Sequence, residues 1–428
     1  MDRFTGIIGI IVIFGIAVLM SNNRRAINLR LVFSGLALQI LIAVLVLKVP
    51  FITSFFAWLG RGMGKIEQFA TQGASFVYGG IMIDKHDGTT AAYGAPHTFV
   101  FAFSVTATII LVCVLVAILY HIGIMQRVVA LIARVMNFVM RASGAEALSN
   151  VASAFVGQVE AQVMIRPYLA TMTKSELLSS MAGSMACIAG GILIVYVNMG
   201  AHAEYLLTAS LMAAPAAIVI SKIIYPETEE SKTKGKVTLE IKKEHTNLID
   251  AISHGAGDGM KIAINVIAML IGFIALIALV NATLGWTGRI IGLTGLNLGF
   301  IGININALSL DAIFGSVFSL FAFVMGVPLK DIHTVGTLLG TKMVINEFVA
   351  YANMGPMIAN QTLSPKAIAI ASFACCGFAN FSSIAIQVGG IGELAPDRCK
   401  DLAALGFRAL LCGTLASYLS ATIAGILF

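Results

Sequence analysis

The stretch Asn150-Val-Ala-Ser-Ala-Phe-Val-Gly-Gln-Val-Glu-Ala-Gln-Val-Met-Ile165 carries one charge, Glu160, among residues that are otherwise uncharged and mostly apolar. A second stretch, Met343-Val-Ile-Asn-Glu-Phe-Val-Ala-Tyr351, does the same with Glu347. Each acid stands near a carboxamide, Gln158 or Asn346, and each stretch is followed by a further apolar segment. An acid surrounded by apolar residues is costly in a bilayer, and there it marks a substrate or ion pathway.

The composition places both acids in a membrane protein. Of 428 residues, 58% are hydrophobic and only 11% charged, against about 25% charged in a soluble domain. So apolar a chain of this length is polytopic. The formal net charge of +6 reflects topology, since Lys and Arg collect in cytoplasmic loops. No basic run is interleaved with aromatics, so nucleic acid is not expected as a partner. The six cysteines form no C-x-x-C pair and read as small apolar fillers.

Apolar segments of the roughly 20 residues needed to span fall near 4–21, 30–49, 98–120, 176–199, 204–223, 260–282, 366–391 and 404–428. Arg24, Arg25 and Arg30 follow the first of them, which places that loop in the cytoplasm and the N-terminus outside. Residues 50–97 are too polar and Gly-rich to span and read as an external, partly interfacial stretch. Arg127, Arg134 and Arg141 recur every seven residues, the mark of a helix lying at the cytoplasmic interface. The charged stretch from Tyr225 to His245 reads as a solvated cytoplasmic linker. Residues 309–327, ending before Pro328, suit a helix along the surface or capping a bundle.

Two segments resist this count. Residues 144–172 and 330–358 mix Glu146, Gln158, Glu160, Gln162 and Arg166, or His333, Lys342, Asn346 and Glu347, with apolar residues, Gly and Pro. Irregular backbone at membrane depth survives only inside protein or beside a water-filled cavity. Both segments are therefore expected to be re-entrant helical hairpins, with the two acids near their tips. A span interrupted by small and polar residues follows each: Gly183-Ser-Met-Ala-Cys-Ile-Ala-Gly-Gly191 and Cys375-Cys-Gly-Phe-Ala-Asn-Phe-Ser-Ser383. The expected fold is an all-α polytopic membrane protein, with eight transmembrane helices and two opposed hairpins in an inverted repeat. Paired broken segments of this kind point to a transporter's central site.

Structural pairing of each acid with a nearby cation, Arg166 or Lys342, is the plainer alternative. Two acids in matching hairpin contexts favour function. Carboxylates flanked by Gln158, Asn380 and Ser383, which both donate and accept, suit a polyhydroxy solute and disfavour an anionic one. No catalytic triad, H-E-x-x-H or metal-ligand cluster lies in the spans, so an enzyme is not expected. A channel with re-entrant filter loops is the alternative class, but two non-equivalent hairpins favour an alternating-access carrier.

At these residues the chain resembles the concentrative nucleoside transporter family, in its short bacterial form. The motifs are Gly157-Gln-Val-Glu-Ala161 with Arg166-Pro167, Asn346-Glu-Phe-Val-Ala-Tyr351, and Gly377-Phe-Ala-Asn-Phe-Ser-Ser383; the opening Ser21-Asn-Asn-Arg-Arg-Ala-Ile-Asn-Leu-Arg30 also fits. The resemblance implies a homotrimer in the bacterial inner membrane that imports nucleosides such as uridine with a co-transported cation. It implies no cofactor and no metal beyond that cation. A scaffold (1–142 and 260–308) would hold an elevator-like transport part made of the two hairpin repeats (143–223 and 309–428), with 224–259 as a cytoplasmic loop. Gln158, Val159, Glu160 and Ile192 would face the base; Glu347, Phe378, Asn380 and Ser383 would surround the ribose. Ser153, Val156, Cys187 and Ile188 would bind the cation. Val159 stands in place of a frequent Thr, Ser153 in place of Asn and Cys187 in place of Ser or Thr. Sodium is the favoured ion, since backbone carbonyls persist whatever the side chains; the proton is the alternative, carried by Glu160.

Overall fold

The computed structural model describes residues 2–78, 101–233, 246–292 and 308–428, and among these the ordered elements are helices, with no strand. Helices follow from the solvent: every N–H and C=O in a bilayer needs an internal partner, and a helix supplies it within one segment. In chain order they are α1 (Asp2–Leu19), α2 (Leu29–Lys48), α3 (Pro50–Tyr78), α4 (Phe101–Ile122), α5 (Ile124–Met140) and α6 (Gly144–Ser153). Then come α7 (Glu160–Val163), α8 (Arg166–Leu169), α9 (Lys174–Ala186), α10 (Gly190–Asn198), α11 (Ala203–Ile224) and α12 (Leu248–Gly292). The last are α13 (Leu310–Val324), α14 (Ile332–Val344), α15 (Glu347–Ala359), α16 (Pro365–Cys375), α17 (Phe381–Leu394) and α18 (Cys399–Leu427).

The expected interfacial helix is α5. It turns 76° from the preceding helix at Gly123, whose φ of +82° only glycine adopts at little cost. Gln126, Val129, Ala133, Met136 and Met140 face inward at alternating three- and four-residue steps, while Arg127 and Arg134 stay exposed. Arg141 lies one residue past the helix, as its C-cap.

The segment 260–282 is part of a longer helix, α12, which runs on from Leu248 to Gly292. Its N-terminal half packs on α4 through glycines: a Cβ at Gly259 would stand 2.7 Å from Ile110 Cα, and one at Gly255 would stand 2.9 Å from the Cys113 carbonyl. The segment 50–97 contains the 29-residue helix α3, with Phe51, Phe55, Trp58, Phe69 and Phe76 exposed. Its part beyond Tyr78, like residues 234–245 and 293–307, lies outside the described residues. Helix α13 lies along α14, where Gly315, Gly336 and Gly340 allow close approach; a Cβ at Gly336 would stand 2.7 Å from the Ser319 nitrogen.

The two irregular segments do form helix pairs. In the first, α6 leads through residues 154–159 into the short helices α7 and α8; in the second, α14 and α15 are joined only by Ile345 and Asn346. Capping boxes start the helices of the first repeat, Ser143 with Glu146 on α6 and Thr173 with Glu176 on α9. Each satisfies two orphan donors reciprocally. Each pair is followed by a broken helix: α9 and α10 part at residues 187–189, α16 and α17 at residues 376–380.

The two breaks meet. Phe378 N–H donates to the Cys187 carbonyl (3.3 Å), and Ser417 Oγ on α18 donates to the Cys376 carbonyl (2.9 Å). Gly377 sits at the contact with φ +114°, and a Cβ there would lie 2.4 Å from the Ala186 carbonyl oxygen.

The linker expectation fails for the start of the loop after α11. Lys222, buried near the end of α11, pairs with Glu146 at 2.9 Å and Glu227 at 3.1 Å. Thr233 accepts the Gly144 N–H through its carbonyl (2.9 Å), and Glu176 takes hydrogen bonds from Ser231 and Thr233. Residues 225–233 are thus docked onto the N-termini of α6 and α9. Charge composition suggested solvent, but buried helix N-termini draw acidic and hydroxyl groups to them.

Gly377→Ala is expected to lower stability by about 2–4 kcal/mol, because left-handed strain adds to a clash with backbone. Gly389→Ala, where nothing lies within 4 Å of the added Cβ, serves as control and should be neutral or slightly stabilising. Thermal unfolding of the two variants in detergent compares them directly.

Candidate functional site

Glu347 opens α15 and is only 5% exposed. Tyr196 on α10 donates its hydroxyl to Oε1 (3.0 Å), and Asn380 in the second break donates Nδ2 to Oε2 (3.1 Å). The carboxylate of the second hairpin is therefore held from both broken helices. Tyr196 is itself fixed by stacking on Tyr351 (centroids 4.5 Å apart) and by edge contact with Phe348 (5.9 Å). Tyr351 in turn donates to the Ser372 carbonyl (2.7 Å).

Asn346 and Asn380 act first as N-caps. Asn346 Oδ1 accepts the Val349 N–H (2.9 Å), and Asn380 Oδ1 accepts the Ser383 N–H (2.9 Å) and the Ser382 hydroxyl (2.7 Å). Capping spends the carbonyl of each amide and leaves the Asn380 amino group aimed at Glu347. Ser383 and Phe378 are buried beside this cap.

Across the site, Glu160 opens α7 but is exposed, its carboxylate folded over Gly157, where an added Cβ would meet Oε2 at 1.9 Å. Gln158 Oε1 accepts from Gln387 Nε2 on α17 (3.4 Å), and Val159 packs against Gly390 of the same helix. Ile192 is half-buried on α10. The eight expected substrate residues thus divide between the first hairpin tip with α10 and the second break with α15, and α17 touches both groups.

The expected cation residues are only partly brought together. Ser153 donates to the Ser149 carbonyl (2.8 Å) and meets Ser184 Oγ (2.9 Å). Gln162 donates to Ser149 (2.9 Å) and Ser184 (2.8 Å) and accepts from Ser180 (2.6 Å). The Cys187 thiol turns instead to the Ser210 carbonyl on α11 (3.8 Å), and its own carbonyl accepts Phe378 N–H. Val156 and Ile188 are buried on either side, and Gly190 N–H ties the Phe155 carbonyl to the start of α10 (3.2 Å).

Three known families cover most of the chain. Residues 205–425 match the C-terminal part of Na+ dependent nucleoside transporters, residues 8–81 the N-terminal part, and residues 102–203 a gate family described by nucleoside recognition. The nucleoside permease NupC of Helicobacter pylori is 37% identical over 98% of this chain and 96% of its own length. The chain belongs to the concentrative nucleoside transporter family. An uncharacterized transporter of Bacillus subtilis, YutK, is 40% identical over the whole of both chains. The solved structure of CNTnw in an inward-facing substrate-bound state superposes with a TM-score of 0.89 at 39% identity, covering 100% of this chain and 98% of that one.

In this member of the family, sequence motifs pointed to Glu347, Asn380 and Gln158, and polarity marked Gln162 and Ser184 without giving them a role, but nothing pointed to Tyr196, Gln387 or Ser180. Gln387 and Ser180 stand in helical stretches outside the quoted motifs. Tyr196 lies in an apolar run, Ile192-Leu-Ile-Val-Tyr-Val-Asn198, where an aromatic reads as packing.

Tyr196→Phe keeps the ring stack and removes one donor to a buried carboxylate, a bond worth about 1.5–3 kcal/mol. Nucleoside binding measured by scintillation proximity is expected to weaken roughly tenfold or more and Tm to fall, since the buried carboxylate loses a donor in the free protein as well. Glu347→Gln should weaken it at least as much.

Proposed function

We propose that the chain is a cation-coupled nucleoside symporter that imports nucleosides such as uridine, with sodium as the coupling ion. The observation that carries this is the Glu347 carboxylate. It is buried, yet its protein donors are a neutral phenol and a neutral amide. A carboxylate so held keeps lone pairs for further hydroxyl donors, which suits the vicinal hydroxyls of a ribose. Asn380, Ser383 and Phe378 line the sugar side, and Gln158, Val159, Glu160 and Ile192 face the base.

The cation is held near Ser153, Val156, Cys187 and Ile188. With the Cys187 thiol turned to Ser210, its carbonyl, those of Val156 and Ile188, and the Ser153 hydroxyl are the oxygen ligands a hard cation needs. The description of the family as Na+ dependent supports the same ion. The proton is the second reading, favoured by the hydroxyl chain that surrounds Ser153. Structures of CNTnw in inward- and outward-facing states support alternating access, with the two hairpin repeats moving as an elevator against a scaffold of 1–142 and 260–308. In this reading the carrier is a homotrimer in the bacterial inner membrane, with its N-terminus outside.

Proteoliposomes with an inward sodium gradient at equal pH are expected to accumulate uridine, and preloaded vesicles should show counterflow. Accumulation driven only by a pH gradient would transfer coupling to the proton and Glu160. Linear, non-saturating flux would sink the carrier reading.

A further inference from the structure

Lys342 stands in the last turn of α14, five residues before Glu347. It is fully buried (0% exposed), and its ammonium has no hydrogen-bond partner among the described residues. A buried unpaired cation is among the costliest groups a fold can carry. Such a group either gives up its proton or is held charged by an acid nearby. The ionisable groups within its electrostatic reach are Glu347 on α15 and the thiols Cys375 and Cys376 at the end of α16.

Glu347 has the complementary need. Its hydrogen bonds come from Tyr196 and Asn380, which carry no charge. Besides Lys342, the ionisable groups around it are Tyr196, Tyr351 and the two thiols, and none of these is cationic. Glu160, by contrast, is exposed and can be hydrated, so it needs no internal counter-ion.

We propose that Lys342 is the resident counter-cation of Glu347, a positioning residue that keeps the sugar-binding carboxylate charged without touching it. A direct Lys–Glu salt bridge would supply the same charge but fill the lone pairs the ribose requires. A charge held short of contact leaves those lone pairs to the ligand. The second hairpin thus carries a tethered cation, whereas the first takes a diffusible one. The inference rests on the nucleoside reading of Glu347 given above.

The test is a double-mutant cycle in nanodiscs with uridine and 2′,3′-dideoxyuridine, which lacks the ring hydroxyls, as probes. Lys342→Met is expected to weaken uridine binding tenfold or more and dideoxyuridine binding less than threefold. On a Glu347→Gln background, Lys342→Met should cost nothing further for uridine, because coupled residues are non-additive. Lys342→Gln serves as a second variant; both should melt below the wild type and lose much of that deficit on the Glu347→Gln background, because removing one of two buried opposite charges strands the other. Additive losses in the cycle, or equal losses for the two probes, would show Lys342 to be a packing residue and overturn the proposal. A Tm deficit that is unchanged on the Glu347→Gln background would do the same. Failure of the wild type to bind either probe would instead overturn the nucleoside reading, leaving the Tm cycle to judge whether the two charges are coupled.

Discussion

Backbone polarity at the two helix breaks is the constraint on which the rest of the molecule depends. Breaking a helix inside a membrane protein frees N–H and C=O groups that no lipid can satisfy. Here the second break supplies the partner that the first lacks, Phe378 N–H meeting the Cys187 carbonyl, and α18 supplies one for the second, Ser417 closing on the Cys376 carbonyl. Gly377 makes the approach possible, because any side chain would collide with the Ala186 carbonyl. The crossing places the N-terminus of α17 beside the N-terminus of α15, and so brings Asn380 to Glu347.

From this crossing the site inherits its division of labour. Caps fix the orientation of both asparagines by consuming their carbonyls, so that only an amino group remains to face the acid. Tyr196 reaches the same acid from the other broken helix, held by its stack on Tyr351. The first hairpin is built differently, with a buried hydroxyl and carboxamide network around Gln162 and an exposed Glu160. The acid of one half of the site is therefore buried and held by protein donors, and the acid of the other is exposed.

The base of the first hairpin is anchored with equal care. Glu146 is both a capping-box partner and the ion-pair partner of Lys222, and Thr233 closes over the same N-terminus. Buried pairs of this kind contribute little net stability but make the loss of either partner expensive. Their effect is to tie α6, α9 and α11 together at one end, while the tip between α6 and α7 remains the less constrained end.

Much of this was legible in the residues alone. Apolar length, the positions of Gly, Pro and N-capping residues, and two isolated acids determine an all-α membrane protein with two hairpin segments and two broken helices, because these depend on local backbone chemistry and on the cost of burying charge. Sequence also marks Glu347, Asn380 and Gln158, whose types are out of place in apolar surroundings. Tertiary structure alone decided that Tyr196 and Gln387 join the site, that the Cys187 thiol leaves it for Ser210, and that residues 225–233 dock on the hairpin base. Each depends on which helices cross, and a tyrosine, glutamine or cysteine in a helix carries no local sign of what it will meet there.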